Sequence, residues 1–248
     1  MRKIMDFTGK NIIIDGAGRG IGLETASLLN RLGANVVLID SNKEILNEAV
    51  NIIGDLRCST KEFDVRNCNE ILDLVKEIVH ENGALDGFVH CVGVRCRRPI
   101  SLLSPDVVKQ VMDINFVSFI ELVRSITKKG NYNKGLSIVA VSSISAKTGG
   151  IGVSCYAASK AAIEGATRCL AHELAPKEIR LNTVQPGQTL TPAYKELIGD
   201  THDPVLDRQY LGLAEASDVA NLIAFLLNDA SRMITGASLP IDCGFYTS

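Results

Sequence analysis

A tyrosine and a lysine stand four residues apart in the run Tyr156-Ala-Ala-Ser-Lys160. The run favours a helix, in which residues with this spacing lie on the same face. An ammonium beside a phenol favours the phenolate, so Lys160 is expected to lower the pKa of Tyr156 towards the range of general acid–base catalysis. Taken alone, the pair is also compatible with an ordinary contact on a helix surface.

A third polar side chain, Ser143, precedes this helix across a glycine-rich loop. It follows the apolar run from Leu136 to Val141, which predicts a buried strand. In α/β proteins, ligands bind at the carboxyl ends of parallel strands. The three side chains therefore indicate a site for proton transfer, provided that the other elements build such a sheet.

The start of the chain predicts a phosphate site. An apolar strand from Lys10 to Asp15 runs into a glycine loop, and an amphipathic helix follows from about Ile21 to Arg31. This unit directs the N–H groups of a helix start at a phosphate. Gly16, Gly20 and Gly22 have the spacing G-x-x-x-G-x-G, a variant of the usual dinucleotide fingerprint.

An acidic residue, Asp40, follows the next predicted strand, Asn35–Ile39. A carboxylate about 20 residues beyond the glycine loop accepts hydrogen bonds from the adenosine ribose. It would repel a 2′-phosphate, so Asp40 favours NAD over NADP. The alternative is that Asp40 only precedes the next helix as an N-terminal residue.

Predicted strands and helices alternate along the whole chain. The strands cover Lys10–Asp15, Asn35–Ile39, the vicinity of Glu62–Asp64, Gly87–Val92, Leu136–Ser142, Arg180–Val184 and Leu239–Ile241. The helices cover Ile21–Arg31, Lys43–Ile53, Cys68–His80, Pro105–Thr127, Cys155–Leu174 and Ala216–Leu227, with an irregular segment from Gln188 to Leu213. The alternation predicts one α/β domain over residues 1–248, a Rossmann-type, doubly wound parallel sheet of about seven strands with helices on both faces. The cofactor half would span about 1–140 and the catalytic and substrate half about 141–248.

Composition excludes several classes of partner. The chain has 248 residues, 46% of them hydrophobic, and a net charge of -2, which would not attract nucleic acid or an anionic membrane. Its first residues carry two basic side chains with no apolar stretch after them, and the longest apolar run, Ala220 to Leu227, is too short to cross a bilayer. Seven scattered cysteines without a C-x-x-C pair predict reduced thiols and no metal site. We therefore expect a cytoplasmic protein that binds neither nucleic acid nor membranes.

Together these motifs resemble one family, the classical short-chain dehydrogenases/reductases, from Gly16 to Gly244. They follow the family's order and spacing: Asp15-Gly-Ala-Gly-Arg-Gly-Ile-Gly22, Asp64-Val65, Asn115, Ser143, Tyr156-x-x-x-Lys160, Asn182-x-x-x-Pro186-Gly187, Ile234-Thr-Gly236 and Ile241-Asp-Cys-Gly244. Each motif alone is weak, whereas the ordered set is specific. The resemblance favours the catalytic interpretation of Tyr156 and Lys160.

The resemblance implies roles for Asn115, Ser143, Tyr156 and Lys160. Tyr156 would exchange a proton with the substrate oxygen as hydride moves, and Ser143 would donate a hydrogen bond to that oxygen. Lys160 would hold the nicotinamide ribose and keep the phenol acidic. Asn115 would bend its helix and hold a water that connects Lys160 to solvent; the alternative is a polar residue that faces solvent.

The resemblance also implies the cofactor contacts. The glycine loop would receive the pyrophosphate, Asp64 and Val65 would flank the adenine, and the segment from Pro186 to Thr191 would close over the nicotinamide. The predicted cofactor residues are Gly16, Arg19, Gly20, Ile21, Gly22, Asp40, Asp64, Val65, Gly93, Tyr156, Lys160, Pro186, Gly187 and Thr191.

The chain departs from the family's pattern at three places, one of which is Asp242-Cys243-Gly244 in place of the usual Asp-Gly-Gly. Asp15 replaces the usual threonine before the first glycine; it is harmless if it accepts hydrogen bonds from backbone N–H groups, and otherwise it should weaken cofactor binding. His90-Cys91-Val92-Gly93 replaces the usual Asn-Asn-Ala-Gly, so an amide that braces the sheet is missing. We interpret His90 as a structural histidine in preference to a titrating group.

Arg95, Arg97 and Arg98 follow a predicted strand at the place where the family has a loop at the rim of the active site. They could bind a carboxylate or phosphate of an anionic substrate, or form a solvated run of charge, and the sequence leaves both interpretations open.

The resulting prediction is an NAD(H)-dependent oxidoreductase that acts on a secondary alcohol or ketone. The alternatives are an NADPH-dependent 3-oxoacyl reductase, suggested by Arg19 and the overall likeness, and a non-catalytic cofactor-binding scaffold. The resemblance also implies a homodimer or homotetramer formed through the helices predicted at Pro105–Thr127 and Cys155–Leu174.

Overall fold

The strand ahead of the glycine loop lies in the middle of a parallel sheet. The computed structural model describes residues 5–54, 57–199 and 203–247, so the basic side chains at the chain start lie outside it. Strand β1 (Asn11–Asp15) pairs with β2 (Asn35–Asp40) on one side and β4 (Leu85–His90) on the other. Its neighbouring side chains Ile13 and Ile14 enter different cores, because successive strand residues point to opposite faces. A strand buried on both faces needs such an uninterrupted apolar run.

The main sheet has the order β3-β2-β1-β4-β5-β6-β9, and all of its strand pairs are parallel. Its other strands are β3 (Cys58–Glu62), β5 (Tyr132–Val141), β6 (Arg180–Pro186) and β9 (Ser238–Ile241). A separate parallel pair joins β7 (Thr189–Leu190) to β8 (Ala214–Glu215). This topology confirms the predicted doubly wound, Rossmann-type α/β fold.

Helices cover both faces of the sheet. One core contains residues of α1 (Gly20–Arg31), α2 (Lys43–Ile53) and α8 (Ala216–Leu227). The other contains residues of α3 (Ile71–Asn82), α5 (Ser118–Ile126) and α6 (Ser154–Leu174). Two short helices, α4 (Pro105–Met112) and α7 (Pro192–Ile198), precede α5 and follow β7. No helix within the described ranges is long and apolar enough to cross a membrane.

Four predicted elements were wrong in extent. β5 begins at Tyr132, four residues before the predicted start at Leu136. β3 ends at Glu62, where the predicted strand begins, because its pairing with β2 places Cys58 opposite Val36 and its sequence carries no apolar run. The single helix predicted from Pro105 to Thr127 is divided by a π-helical turn at Asp113–Val117. The segment predicted as irregular from Gln188 to Leu213 contains β7 and α7.

Candidate active site

A groove of about 400 Å³ lies at the carboxyl edge of the sheet, where β1 and β4 are neighbours. The strand order reverses here, and this is where doubly wound sheets bind their ligands. The residues after β1, β2 and β4 all reach it. Ten predicted cofactor residues line the groove: Gly16, Arg19, Gly20, Ile21, Gly22, Asp40, Asp64, Val65, Gly93 and Thr191.

The glycine loop has the close packing that a pyrophosphate cradle requires. A Cβ at Gly22 would lie 2.2 Å from the carbonyl oxygen of Gly16, so a larger residue would displace the backbone. Arg19, the N-cap residue of α1, makes no side-chain capping bond. The first N–H groups of this helix therefore need another acceptor, and a phosphate on the groove side fits them.

At the end of the groove where the adenosine is expected, two arginines face carboxylates. Arg19 lies 3.5 Å from Glu196, and Arg66 donates from Nε to both oxygens of Asp64, at 2.9 and 3.0 Å. These hydrogen bonds with Arg66 lower the pKa of Asp64. Asp40 ends β2 and accepts a hydrogen bond from the Gly18 N–H at 3.2 Å. The groove therefore has an acidic residue where the ribose is expected, and the two arginines that line it, Arg19 and Arg66, each face a carboxylate.

Tyr156 and Lys160 lie on one face of α6, as their spacing predicts. The Lys160 ammonium is 6.0 Å from the centroid of the Tyr156 ring and donates to the Val141 carbonyl at 2.8 Å. Lys160 is only 2% exposed. Gly93 borders its ammonium, and a Cβ there would come within 3.0 Å of Nζ. The buried ammonium thus lies between Tyr156 and the wall of the groove, which Gly93 and Val141 line.

Ser143 and Tyr156 line a second cavity of about 280 Å³, which we call the catalytic cavity. Ser143 Oγ accepts a hydrogen bond from the Ser145 N–H at 3.1 Å, so its own hydroxyl hydrogen remains available as a donor. Gly187 also lines this cavity, whereas Pro186 ends β6 and lines neither the groove nor the cavity.

The loop that contains Arg95, Arg97 and Arg98 borders the same cavity through two of these arginines. Arg95 and Arg97 line the catalytic cavity, and Arg95 donates to Gln188 Oε1 at 3.1 Å. Arg98 does not line it, and its backbone N–H donates to the Gly152 carbonyl at 2.7 Å.

Asn115 connects the elements around Lys160. Its Nδ2 donates to the Val94 carbonyl at 3.1 Å and to Ser159 Oγ at 2.9 Å, and its Oδ1 accepts from the Val94 N–H at 2.8 Å. Asn115 is fully buried, which excludes the solvent-facing interpretation. The π-helical turn places its amide between the loop after β4 and the residue that precedes Lys160.

Two residues that depart from the family pattern, Asp15 and His90, form one buried pair. Asp15 and His90 are register partners on β1 and β4, both with 0% exposure, and Asp15 Oδ2 lies 2.6 Å from His90 Nδ1. The other oxygen, Oδ1, accepts from the N–H groups of Cys91 at 2.6 Å and Val92 at 3.0 Å. Nε2 of His90 lies 3.3 Å from the Asn115 carbonyl, an acceptor, so Nε2 carries a hydrogen. Asp15 thus has the backbone partners that the sequence required, and both ring nitrogens of the buried His90 have hydrogen-bond partners, which agrees with its interpretation as a structural histidine.

The groove has further lining residues that the motifs did not identify. They are Ile39, Ser41, Phe63, Arg66, Cys91, Val92, Val94, Ile114, Val141, Pro192 and Ala193. Ile114 lies in the π-helical turn, and the others lie at or shortly after the end of a strand or in the first turn of α7. For these others, that position is the signal that could have found them. Cys155, next to Tyr156, has its pKa raised by burial and by nearby Cys96, so its thiol stays protonated. No metal-binding group of three or more acidic, histidine or cysteine side chains occurs in the ranges described.

Comparison with known proteins gives consistent matches along the chain. A family model described as enoyl-(acyl carrier protein) reductase matches residues 16–246. The 3-oxoacyl-[acyl-carrier-protein] reductase FabG of Rickettsia felis is 30% identical over 243 residues, 97% of this chain and 98% of its own. The cyclopentanol dehydrogenase of Comamonas sp. is 30% identical over 241 residues, 95% of this chain and 96% of its own.

Solved structures match equally well. A short-chain dehydrogenase/reductase of Brucella melitensis, described as glucose/ribitol dehydrogenase, superposes with a TM-score of 0.93 at 29% identity, covering 98% of this chain and 99% of its own. A short-chain dehydrogenase of Burkholderia cenocepacia in complex with NADP gives a TM-score of 0.91 at 29% identity, with 97% and 99% coverage.

The chain belongs to the classical short-chain dehydrogenase/reductase family. It is accordingly an oxidoreductase that acts on CH–OH groups, and its family uses nicotinamide cofactors.

Proposed function

We propose that the protein transfers hydride between NAD(H) and a secondary alcohol or ketone, with Tyr156 as the general acid–base. The observation that supports the proposal is the position of Tyr156 between the catalytic cavity and the cofactor groove. Its side chain lines the catalytic cavity together with Ser143, and the adjacent Lys160 ammonium lies against Gly93 and Val141 of the cofactor groove. The Tyr156 hydroxyl in the catalytic cavity is thus close to the groove in which we expect the cofactor to bind.

In this proposal Ser143 and Tyr156 contact the substrate oxygen, and Lys160 and Asn115 support Tyr156. The nicotinamide, when bound, supplies or accepts the hydride. The free hydroxyl hydrogen of Ser143 stabilises the charge that develops on the substrate oxygen. Tyr156 gives its phenolic proton to that oxygen during reduction and takes it back during oxidation. Lys160 stabilises the phenolate, and Asn115 holds the loop and helix that border Lys160.

Asp40 supports NAD as the cofactor. A 2′-phosphate at the ribose position would meet its carboxylate, and the nearby cations Arg19 and Arg66 face Glu196 and Asp64. A second candidate is an NADPH-dependent 3-oxoacyl reductase, favoured by the relative of that name and by the NADP-bound structure from Burkholderia cenocepacia.

The ratio of kcat/KM for NAD⁺ and NADP⁺ separates the two candidates. We expect the wild type to prefer NAD⁺ by roughly tenfold or more, because like charges would be opposed at Asp40. Asp40→Asn should reduce this preference. Glu44→Gln, on the surface of α2 and outside the groove, is the matched control and should leave it unchanged. Equal use of both cofactors, or a preference for NADP⁺ with turnover of acetoacetyl-coenzyme A, would favour the second candidate.

Tyr156→Phe tests the catalytic role. It should reduce turnover by roughly 100-fold or more while leaving NADH binding intact, since the phenol is assigned to proton transfer. Unchanged turnover would refute the assignment. NADH binding by the wild type without turnover of any alcohol or ketone would favour the non-catalytic scaffold.

The nature of the substrate, the assembly and the location belong to the same proposal. Arg95 and Arg97 line the catalytic cavity and support an acidic group on the substrate; Arg95→Gln with Arg97→Gln should then raise KM for acidic but not neutral alcohols. We assign a homodimer or homotetramer formed through α5 and α6, which a monomer by light scattering would contradict. Seven free thiols support a reducing, cytoplasmic location.

A further inference from the structure

A buried glutamate on α6 has no role in the chemistry described above. Glu164 is only 4% exposed and follows Lys160 by four residues and Tyr156 by eight, so the three side chains lie along one side of the helix. Its Oε1 accepts a hydrogen bond from Ser142 Oγ at 2.6 Å and another from Gln185 Nε2 at 2.6 Å. Both donors are neutral groups that belong to other elements. Glu164 thus connects α6 to the end of β5 and to β6.

The bond to Ser142 lies directly before the catalytic serine. Lys160 donates to the carbonyl of Val141, and Glu164 accepts from the hydroxyl of the next residue. The helix is therefore bonded to two consecutive residues of the chain, and Ser143 comes immediately after them. A buried carboxylate is costly unless it is hydrogen-bonded, and hydrogen bonds to an ionised group are stronger than those between neutral groups. The Ser142 side chain is accordingly held firmly.

The backbone at Ser142 transmits this constraint to Ser143. The Ser142 N–H donates to the Val184 carbonyl of β6 at 2.8 Å, and Ser143 has extended backbone angles. Neighbouring residues of an extended chain point to opposite sides. Ser142 therefore faces α6 while Ser143 lines the catalytic cavity, and a displacement of the first residue would displace the second.

The residue on the other side of Ser143 is bonded to a different element. The carbonyl of Ile144 accepts a hydrogen bond from the Tyr246 hydroxyl, near the end of the chain, at 3.2 Å. Glu164, in contrast, belongs to the helix that carries the proton donor. Its bond with Ser142 therefore fixes the catalytic serine relative to the proton donor as well as relative to the sheet.

We propose that Glu164 is a positioning residue for hydride transfer: by holding the Ser142 hydroxyl it fixes the distance between Ser143 and Tyr156. These are the two groups assigned to the substrate oxygen, and a displacement of about 1 Å at such a site can lower the rate roughly 100-fold. Glu164 itself lines neither the catalytic cavity nor the cofactor groove. The inference rests on the proposed function and extends it to a residue that does not contact the substrate.

The test removes each end of the hydrogen bond in turn. Glu164→Ala and Ser142→Ala should each lower kcat for secondary alcohols, with cyclopentanol as the first probe, by roughly tenfold or more. KM for the alcohol and the Kd of NADH from titration calorimetry should stay within about twofold of wild type, because neither residue contacts a ligand. The double variant should be no slower than the slower single variant, since both substitutions break the same bond.

Two further measurements distinguish positioning from a loss of stability. Glu164→Gln keeps the shape of the side chain and an acceptor oxygen, so its kcat should remain within roughly threefold of wild type. With alcohol deuterated at the carbinol carbon, the primary isotope effect on kcat in Glu164→Ala should equal or exceed that of wild type, because hydride transfer is the slowed step. A loss of stability alone would lower Tm without changing kcat per NADH-binding site.

Glu173→Ala is the matched control, because it removes an exposed carboxylate from the same helix and should leave kcat unchanged. Wild-type kcat in both alanine variants would overturn the positioning role and leave the proposed function intact. So would a loss that Glu164→Gln shares, or a reduced isotope effect. If Glu164→Ala does not fold, Ser142→Ala, which lacks one hydroxyl, decides the question. NADH binding by the wild type without turnover of any alcohol or ketone would overturn the proposed function and the positioning role with it.

Discussion

Asp15 and His90 allow a double-mutant cycle on a pair that the family's pattern lacks. The single variants are Asp15→Thr and His90→Asn, and the double variant restores the two residue types typical of the family. Both side chains are fully buried, and the pair stands where β1 and β4 are in register. Asp15→Thr leaves the buried His90 without its carboxylate partner, and His90→Asn leaves the buried Asp15 without its imidazole partner. The double variant removes both side chains at once.

The magnitude follows from the hydrogen bonds that each variant breaks. Asp15 Oδ2 lies 2.6 Å from His90 Nδ1, and Oδ1 accepts from two backbone N–H groups. Asp15→Thr should cost about 3–5 kcal/mol, because it leaves these buried groups without their hydrogen-bond partner. His90→Asn keeps the two backbone partners of Asp15 but loses the contact with the Asn115 carbonyl, and should cost about 2–3 kcal/mol. A threonine and an asparagine are neutral and can bond to each other, so the double variant should lose only about 1–3 kcal/mol.

Urea unfolding followed by far-ultraviolet circular dichroism measures these differences, since the chain has no tryptophan for fluorescence. Midpoints should be compared at one protein concentration, because assembly shifts the apparent stability. We expect the losses to be non-additive by at least about 2 kcal/mol, with the double variant more stable than Asp15→Thr alone. Additive losses, within about 0.5 kcal/mol, would refute the coupling and with it the structural role of the pair.

Further predictions concern glycine packing and a buried phenol. Gly93→Ala places a Cβ 3.0 Å from Lys160 Nζ, so turnover should fall by roughly tenfold or more in steady-state assays, and unchanged kcat would contradict this packing. Gly22→Ala should abolish NADH binding in titration calorimetry, because its Cβ would lie 2.2 Å from a backbone oxygen. Burial, aided by Glu164 and Asp242, raises the pKa of Tyr246 to about 12. An unfolded tyrosine titrates near 10, so this contribution to stability is complete below about pH 10 and is lost towards pH 12. Tyr246→Phe should therefore lose less Tm than wild type across that range in thermal scans, and parallel losses would contradict the shift.

Local sequence patterns were sufficient wherever neighbouring residues decide the structure. The apolar run of β1, the glycine loop and the start of α1 were recognisable because strand burial, turn geometry and helix periodicity act over a few residues. The same holds for Tyr156 and Lys160, whose spacing on one helix predicts their proximity. The fold class followed from the alternation of such units, and the tertiary structure confirms it.

Long-range packing decided the features that local patterns left open. The sequence could not distinguish a continuous helix from the π-helical turn around Asn115, because that turn depends on hydrogen bonds with Val94 and Ser159 from other elements. It also placed the edge strand β3 too late, since pairing with β2 and not composition determines where that strand lies.

The sequence alone was sufficient to predict the fold class, the glycine loop and the candidate proton-transfer residues, because each of these depends on a short run of neighbouring residues. It named Asp15 and His90 only as separate departures, 75 positions apart. They are in contact because strand order and register place the ends of β1 and β4 side by side. Only the tertiary structure brings such distant groups within hydrogen-bond distance, and that proximity gives them their roles.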